Sequence, residues 1–452
     1  MVRTVRPGPS RTRHARITAL PGITVCTVHE PGPRSSGNRP NCARGQVFPF
    51  RGVLESVATT VRWSHRDPGI PMQARVFRRL LVTAAVASAA VLTLPSAAWA
   101  AGAIAFAPAV DSPSGGSFPS WGPGPAPSGM AAADLDGDGN IDIVAADFQG
   151  DGPILMKGKG DGTFAPGTRV GSVGTGFGAV AIGDLNGDGK PDIAAQSWTQ
   201  IVVFLNNGDG TFKKGQTYTT IEGAQQELFV ADVNGDGKAD VLSLLPTGVQ
   251  TWLGNGDGTL KTGPVTTIAG TPAAFILGKF HAGGKVDMAI NNDVTQQVEV
   301  FFGNGDGSFT RKGASTSGLI TEDIRAADFD GDGIDDIVTA DSFSFSTTLL
   351  VSDGQGGFRK TNRLNLSGLG PDSIAVGDFN HDGHMDAAMS AVLNSKIVIF
   401  TGNGDGTITK TGEYDVTTQP QTPVVADFNK DGKPDIAVAG DANTVSFLKN
   451  IS

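Results

Sequence analysis

Residues 184–192 read DLNGDGKPD, with three carboxylates inside nine residues. Carboxylates that close repel one another unless something positive sits between them. Oxygen ligands at positions 1, 3, 5 and 9 of a tight loop, with a backbone carbonyl at 7, can surround one Ca²⁺. Here these are Asp184, Asn186, Asp188 and Asp192, with the carbonyl of Lys190. Gly189 at position 6 supplies the positive φ that folds the loop back toward the metal. A single such stretch reads equally as an Asx-rich turn without metal. The stretch is not single, however. Loops of this type start at Asp134, Asp184, Asp232, Lys279, Asp328, Asp378 and Asp427, at steps of 50, 48, 47, 49, 50 and 49 residues.

Seven copies of a unit near 49 residues long fit seven sets of four short strands, each set one blade of a β-propeller. Before every loop stands a small residue (Ala133, Gly183, Ala231, Gly278, Ala327, Gly377, Ala426), as inner strands crowding an axis require. Position 2 is always large and apolar (Leu135, Leu185, Val233, Phe280, Phe329, Phe379, Phe428), which suits packing between blades. Runs such as IVAAD and IVVFLNN supply further strands, and turns such as NGDGTF at 207–212 join the third strand to the fourth. The Gly-Asp-Gly of those turns lacks convergent carboxylates and reads as turn chemistry. An EF-hand is excluded because position 12 is Ala145, Ala195, Ser243, Thr339, Met389 or Val438, never a bidentate Glu. A β-roll would repeat every nine residues.

The remaining complete loops offer Asp134, Asp136, Asp138, Asn140 and Asp142; Asp232, Asn234, Asp236, Lys238 and Asp240; Asp328, Asp330, Asp332, Ile334 and Asp336. The last two offer Asp378, Asn380, Asp382, His384 and Asp386, then Asp427, Asn429, Asp431, Lys433 and Asp435, position 7 always acting through its carbonyl. The motif D-x-[DN]-x-D-G-x-x-D across residues 101–452 resembles the FG-GAP/VCBS repeat proteins, whose blades are those of the integrin α-subunit propeller. That resemblance implies an all-β, seven-bladed propeller with Ca²⁺ in the loop between the first and second strands of a blade. It says little about ligand, because such propellers serve adhesion, sugar binding and attachment to enzymes alike. The fourth copy, KFHAGGKVD, replaces three ligands by Lys279, His281 and Gly283, so six ions are expected. The Lys279 ammonium is expected to neutralise the remaining Asp287.

The first 100 residues hold fourteen of the 35 basic residues, three of the 45 acidic ones and both cysteines. Residues 101–452 therefore carry 21 basic and 42 acidic groups, a net charge of −21, which argues against nucleic acid or anionic membrane as partners. Twenty of those carboxylates stand at the ligand positions, and six Ca²⁺ would bring −21 to −9. Residues 72–100 have the build of a secretory signal, with a basic start, an apolar stretch from Leu80 to Leu94 and Ala98-Trp99-Ala100 before the cut. A signal anchor retained in the membrane and a twin-arginine signal at Arg78-Arg79 are the alternatives. Residues 1–71 read as a disordered leader or a misassigned start, synthesis then beginning at Met72. The exported chain is expected to be a secreted monomer without disulfides, since Cys26 and Cys42 lie in the leader.

Beyond residue 100 the only histidines are His281, His381 and His384, all in loops of the metal type, which disfavours Ser-His-Asp and Cys-His catalysis. A carboxylate-based polysaccharide-active site and a structural scaffold in a cell-surface assembly remain alternatives. The stronger expectation is a binding module, lectin-like or adhesive, with an extracellular glycan or protein as partner. Its recognition face lies opposite the calcium loops, where the connections differ from blade to blade: QSWTQ (196–200), EGAQQE (222–227), NNDVTQQ (291–297), TEDIR (321–325) and DSFSFST (341–347). Trp198, Phe343 and Phe345 are the candidate ligand anchors. The last copy ends one strand short, and Phe106-Ala107-Pro108 echoes Phe164-Ala165-Pro166. Residues near 104–112 are therefore expected to supply the missing outer strand and close the ring.

Overall fold

The computed structural model describes residues 103–114, 129–147, 150–174, 177–220, 227–440 and 443–452. The leader, the signal segment and residues 222–226 lie outside them. The described residues form strands and turns only, in seven four-stranded antiparallel sheets.

In chain order, β1 is Val110–Pro113. Blade 1 is β2 (Met130–Ala133), β3 (Asp142–Ala145), β4 (Ile154–Met156) and β5 (Thr168–Arg169). Blade 2 is β6 (Phe177–Gly183), β7 (Asp192–Ser197), β8 (Gln200–Asn206) and β9 (Phe212–Thr219). Blade 3 is β10 (Leu228–Ala231), β11 (Asp240–Leu245), β12 (Gly248–Gly254) and β13 (Leu260–Thr267). Blade 4 is β14 (Pro272–Gly278), β15 (Asp287–Asn292), β16 (Gln297–Gly303) and β17 (Phe309–Thr316). Blade 5 is β18 (Thr321–Ala327), β19 (Asp336–Asp341), β20 (Ser346–Ser352) and β21 (Phe358–Asn365). Blade 6 is β22 (Pro371–Gly377), β23 (Asp386–Ala391), β24 (Lys396–Gly402) and β25 (Ile408–Asp415). Blade 7 is β26 (Gln421–Ala426), β27 (Asp435–Gly440) and β28 (Thr444–Leu448), with β1 as its outer strand.

The closure expected from the sequence is present. β1 pairs antiparallel with β28, from Val110↔Phe447 to Pro113↔Thr444. The echoed tripeptides occupy matching places, for Phe106 bridges Asn450 as Phe164 bridges Gly158.

The core is divided among seven interfaces, each shared by two successive blades. A flat blade has two faces, and each must be covered by a neighbour, so the apolar residues of the second and third strands point both ways. The large residue at loop position 2 is at most 3% exposed in all seven blades. Burying a phenyl ring there contributes roughly 2–3 kcal/mol. The small residue before the loop is set by crowding among the inner strands: a Cβ at Gly183 would lie 2.4 Å from Val230 of the next blade.

One expectation is corrected here. TEDIR is not a connection but the start of β18. Its polar residues are neutralised inside the fold. Asp323 pairs with Arg325, and its Oδ2 accepts the N–H of Ile374 from blade 6 at 2.8 Å. Glu227 does the same for Phe275, joining blade 3 to blade 4 at 2.9 Å. Burial pushes Asp323 up to about 6 and raises Glu227 well above the ordinary carboxylate range.

Candidate metal centres

Each nine-residue loop links the first and second strands of its blade. Its shape follows from the aspartates themselves. In the six complete loops the position 1 carboxylate accepts the N–H of position 6 at 2.8–2.9 Å. The position 5 carboxylate accepts the N–H of position 7 at 2.8–3.1 Å. Backbone N–H groups drawn inward in this way demand left-handed residues, as at Gly187 (φ 76°) and Gly189 (φ 79°). His381 (φ 56°) and Lys430 (φ 60°) adopt the same conformation at position 4 of the sixth and seventh loops, where a side chain is unfavourable by about 1–2 kcal/mol.

Position 9 has a second duty that the spacing alone did not reveal. In all seven blades one of its oxygens accepts the N–H of loop position 2, at 2.8–3.2 Å. The other accepts an N–H at the end of the third strand, at 2.8–2.9 Å. The aspartate is thus a latch between the loop and its sheet. This explains why the fourth loop keeps Asp287 after losing the other carboxylates. It also corrects the role given to Lys279, because the group facing Asp287 is His281, with Nδ1 at 2.6 Å from Oδ2 and its ring stacked 4.1 Å from Phe302. The latch oxygen faces position 3, where His281 stands; in the seventh loop Asn429 donates to the equivalent oxygen of Asp435 at 2.7 Å.

The donor set fits a hard divalent cation. Asp134, Asp136 and Asp138 bring ligand oxygens within 4.8 Å of one another, and so do Asp328, Asp330 and Asp332. The other complete loops substitute the amide of Asn186, Asn234, Asn380 or Asn429 at position 3. Several cations lean into these carboxylates: Lys157 on Asp136 at 2.9 Å, Arg359 on Asp330 and on Asp332 (2.9 Å), and Lys449 on Asp431 at 3.2 Å. Loop spacing does not reveal these cations, since each reaches its loop from another strand or turn of its blade. Such exposed pairs contribute about 0–1 kcal/mol and exchange readily for an ion. The turns between third and fourth strands behave as turn chemistry: Asp209 Oδ1 accepts both the N–H and the hydroxyl of Thr211, and Asp306 treats Ser308 alike.

Burial, followed by the like charges of the loop, pushes four of the latch carboxyls up, Asp142 and Asp435 to about 6 and Asp336 and Asp386 to about 7. Hydrogen bonds from backbone N–H groups oppose this without cancelling it. Carboxyls raised in the fold bind protons more tightly there than in the unfolded chain. Their contribution is complete below the ordinary carboxylate range and is lost as pH rises through about 6–7. Chelated protein should therefore melt lower at about pH 8 than at about pH 5.5. Calcium needs the ionised form, so its stabilisation should grow across the same window. Thermal melts at both values with and without EDTA test this; a chelated protein that melts higher at the alkaline value contradicts it.

The candidate anchors sit at turns between second and third strands, at the other end of the blades. Trp198 is half-buried in the two-residue turn of blade 2. Phe345 is also half-buried, with φ at 47°. Phe343 alone of the three is exposed, at 53%. Its N–H donates to the Leu319 carbonyl at 3.3 Å, and Leu319, an exposed aliphatic not singled out from sequence, is itself 39% exposed.

A family model described as FG-GAP-like repeat matches residues 134–195, 184–243, 282–339, 328–389 and 388–438, more than half of the chain. The chain belongs to the FG-GAP-like repeat family. Its matches leave out 244–281, so the gap in this FG-GAP-like protein contains Lys279 and His281 of the altered loop. No curated protein sequence matches it. Among solved structures it is similar to BBS1N, crystallised in complex with ARL6DN and soaked with lead, at TM-score 0.54 and 12% identity over 76% of this chain and 96% of that one. It is also similar to a Lactobacillus plantarum protein, at TM-score 0.51 and 14% identity over 67% of this chain and 92% of that one. These likenesses show the fold alone. An Agrocybe aegerita lectin described as recognising non-reducing terminal N-acetylglucosamine aligns at TM-score 0.45 and 19% identity, over 69% of this chain and 85% of that one. Among the described residues no helix is long and apolar enough to cross a membrane.

Proposed function

We propose that this FG-GAP-like propeller is a secreted, calcium-loaded binding module rather than an enzyme, recognising an extracellular partner through the face opposite its metal loops. Support for calcium comes from the donor set of the six complete loops, and support for export from the signal-like segment at 72–100. The recognition face rests on Phe343. An exposed phenyl ring beside Leu319, with Val294 of the neighbouring blade 67% exposed at the equivalent turn, is the kind of apolar anchor that carries binding energy.

The loop bearing Phe343 is held rigid. Asp341, fully buried, accepts the hydroxyls of Thr321, Thr339 and Thr348 at 2.8 Å and of Ser346 at 3.1 Å. An anchor ordered before binding loses little entropy on contact. The aliphatic neighbours suit a protein surface better than a sugar ring, which makes protein the first partner class to screen, ahead of glycans.

Screening the full chain against surface-protein and glycan panels, then repeating the positives with Phe343→Ala, tests this reading. Affinity should fall at least about tenfold, the ordinary loss for a hot-spot aromatic, with melting temperature unchanged. Positives that ignore Phe343→Ala but are lost when the metal-loop face is altered would place recognition on the other side. Trp198→Ala is the comparison: being half-buried, it should lower the melting temperature as well.

A further inference from the structure

Between blades 3 and 4 lies a cavity of about 550 Å³. One wall is residues 265–269, the end of β13 and the chain leaving it; the other carries Gln297, Glu299, Phe301, Phe309 and Arg311. β13 is the outermost strand of its sheet, so among the described residues one edge of it has no strand partner. Ile268 gives its N–H to Thr247 at 2.8 Å. By the alternation of an antiparallel ladder, the N–H and C=O of Val265 and Thr267 point outward from the sheet. Both residues are exposed.

The opposite wall is built around a buried carboxylate. Glu299 is 5% exposed; its Oε1 accepts Asn292 Nδ2 at 2.8 Å and its Oε2 accepts Arg311 Nε at 2.5 Å. Asn292 also donates to the Ala269 carbonyl at 2.7 Å, fastening the two walls at one end. Other blades place Ile154, Val202, Gln250, Thr348, Val398 or Ser446 at the position of Glu299, so the pair is peculiar to this groove. With Nε committed, the Nη groups of Arg311 have no protein partner among the described residues. A sugar would seek an aromatic platform, but Phe301 and Phe309 are only 3% and 8% exposed. An unpaired strand edge facing a cation suits a different ligand.

We propose that this groove binds an extended peptide segment, which adds as a fifth strand to blade 3 by pairing with Val265 and Thr267 while an acidic side chain meets Arg311. This goes beyond the Phe343 recognition face by naming a second site and its kind of partner, and its test separates the two. The probe is a synthetic library of extended heptapeptides with one acidic position, titrated against the full calcium-equilibrated chain by fluorescence polarisation. Binders should lose about tenfold or more when alternate backbone amides are N-methylated, and likewise when Asp or Glu becomes Asn or Gln. Thr267→Pro, which removes an N–H that makes no bond within the sheet, should have the same effect with melting temperature unchanged. The double change Glu299→Gln with Arg311→Ala avoids a buried unpaired charge and should abolish the acidic preference. Phe343→Ala should leave peptide affinity unaltered, so the groove and the recognition face fail separately. No binder in the library, binders indifferent to both N-methylation and Thr267→Pro, or displacement of bound peptide by neutral oligosaccharides would each overturn the proposal.

Discussion

Deleting residues 101–113 should lower the melting temperature by roughly 5–10 °C, although these residues lie far in sequence from the blade they complete. The segment is tied to the C-terminus by more than the β1–β28 ladder. Ala107 donates to the Lys449 carbonyl, and Ile451 to that of Ala105, both at 2.8 Å. Ile104 and Phe106 are 2% and 5% exposed, and the Phe106 ring meets Phe379 edge-on at 5.6 Å and Tyr414 at 5.3 Å. Loss of one such phenylalanine costs about 3–5 kcal/mol, so loss of the whole segment costs at least that much. The deletion also bares the edge of β28, inviting strand exchange between molecules. Calorimetry of the deletion beside Phe106→Ala checks this. The point mutant should fall between wild type and deletion, and a deletion that melts like wild type contradicts the closure.

Chelation should be comparably damaging. At about 1 mM Ca²⁺ and a Kd near 0.1 mM, each occupied loop stabilises the fold by roughly 1.4 kcal/mol. Six loops then supply an amount comparable to the total stability of an ordinary domain. Without ions the carboxylates of positions 1 and 5, joined by a third at position 3 in the first and fifth loops, would repel one another, with Lys157, Arg359 and Lys449 as partial substitutes. The fourth loop should behave differently, since His281 already faces its latch aspartate. On adding EDTA, hydrogen exchange should speed up at the amides of the six complete loops while those of 279–287 keep their protection. Uniform loss across all seven would show that the fourth loop depends on metal as well.

The architecture was legible because one nine-residue pattern, a small residue before it and an apolar residue at its second position recur at almost constant spacing. Each of these features has a local physical cause: carboxylate spacing, crowding at the axis and burial between blades. Closure was legible for the same reason, as a tripeptide echo and one missing strand. What escaped depends on contacts between distant segments. TEDIR looks like a loop until Asp323 is seen to cap the Ile374 amide of the next blade. Lys279 looks like the natural partner of Asp287 until the latch geometry turns that carboxylate toward position 3. The groove beside β13 needs Glu299 and Arg311, twelve residues apart, against an edge supplied by the preceding blade, and no periodicity marks it. Of the three anchors chosen as aromatics among polar residues, only Phe343 stands clear of the surface, because exposure is decided by how each turn folds.

The most direct test of six calcium loops and one substituted loop is a count of bound ions. Native mass spectrometry of protein equilibrated with Ca²⁺ should give six calcium ions per chain, falling to five in Asp184→Ala and remaining six in Asp287→Asn. A chain that carries no calcium, or a seventh ion that Asp287→Asn removes, would contradict the assignment.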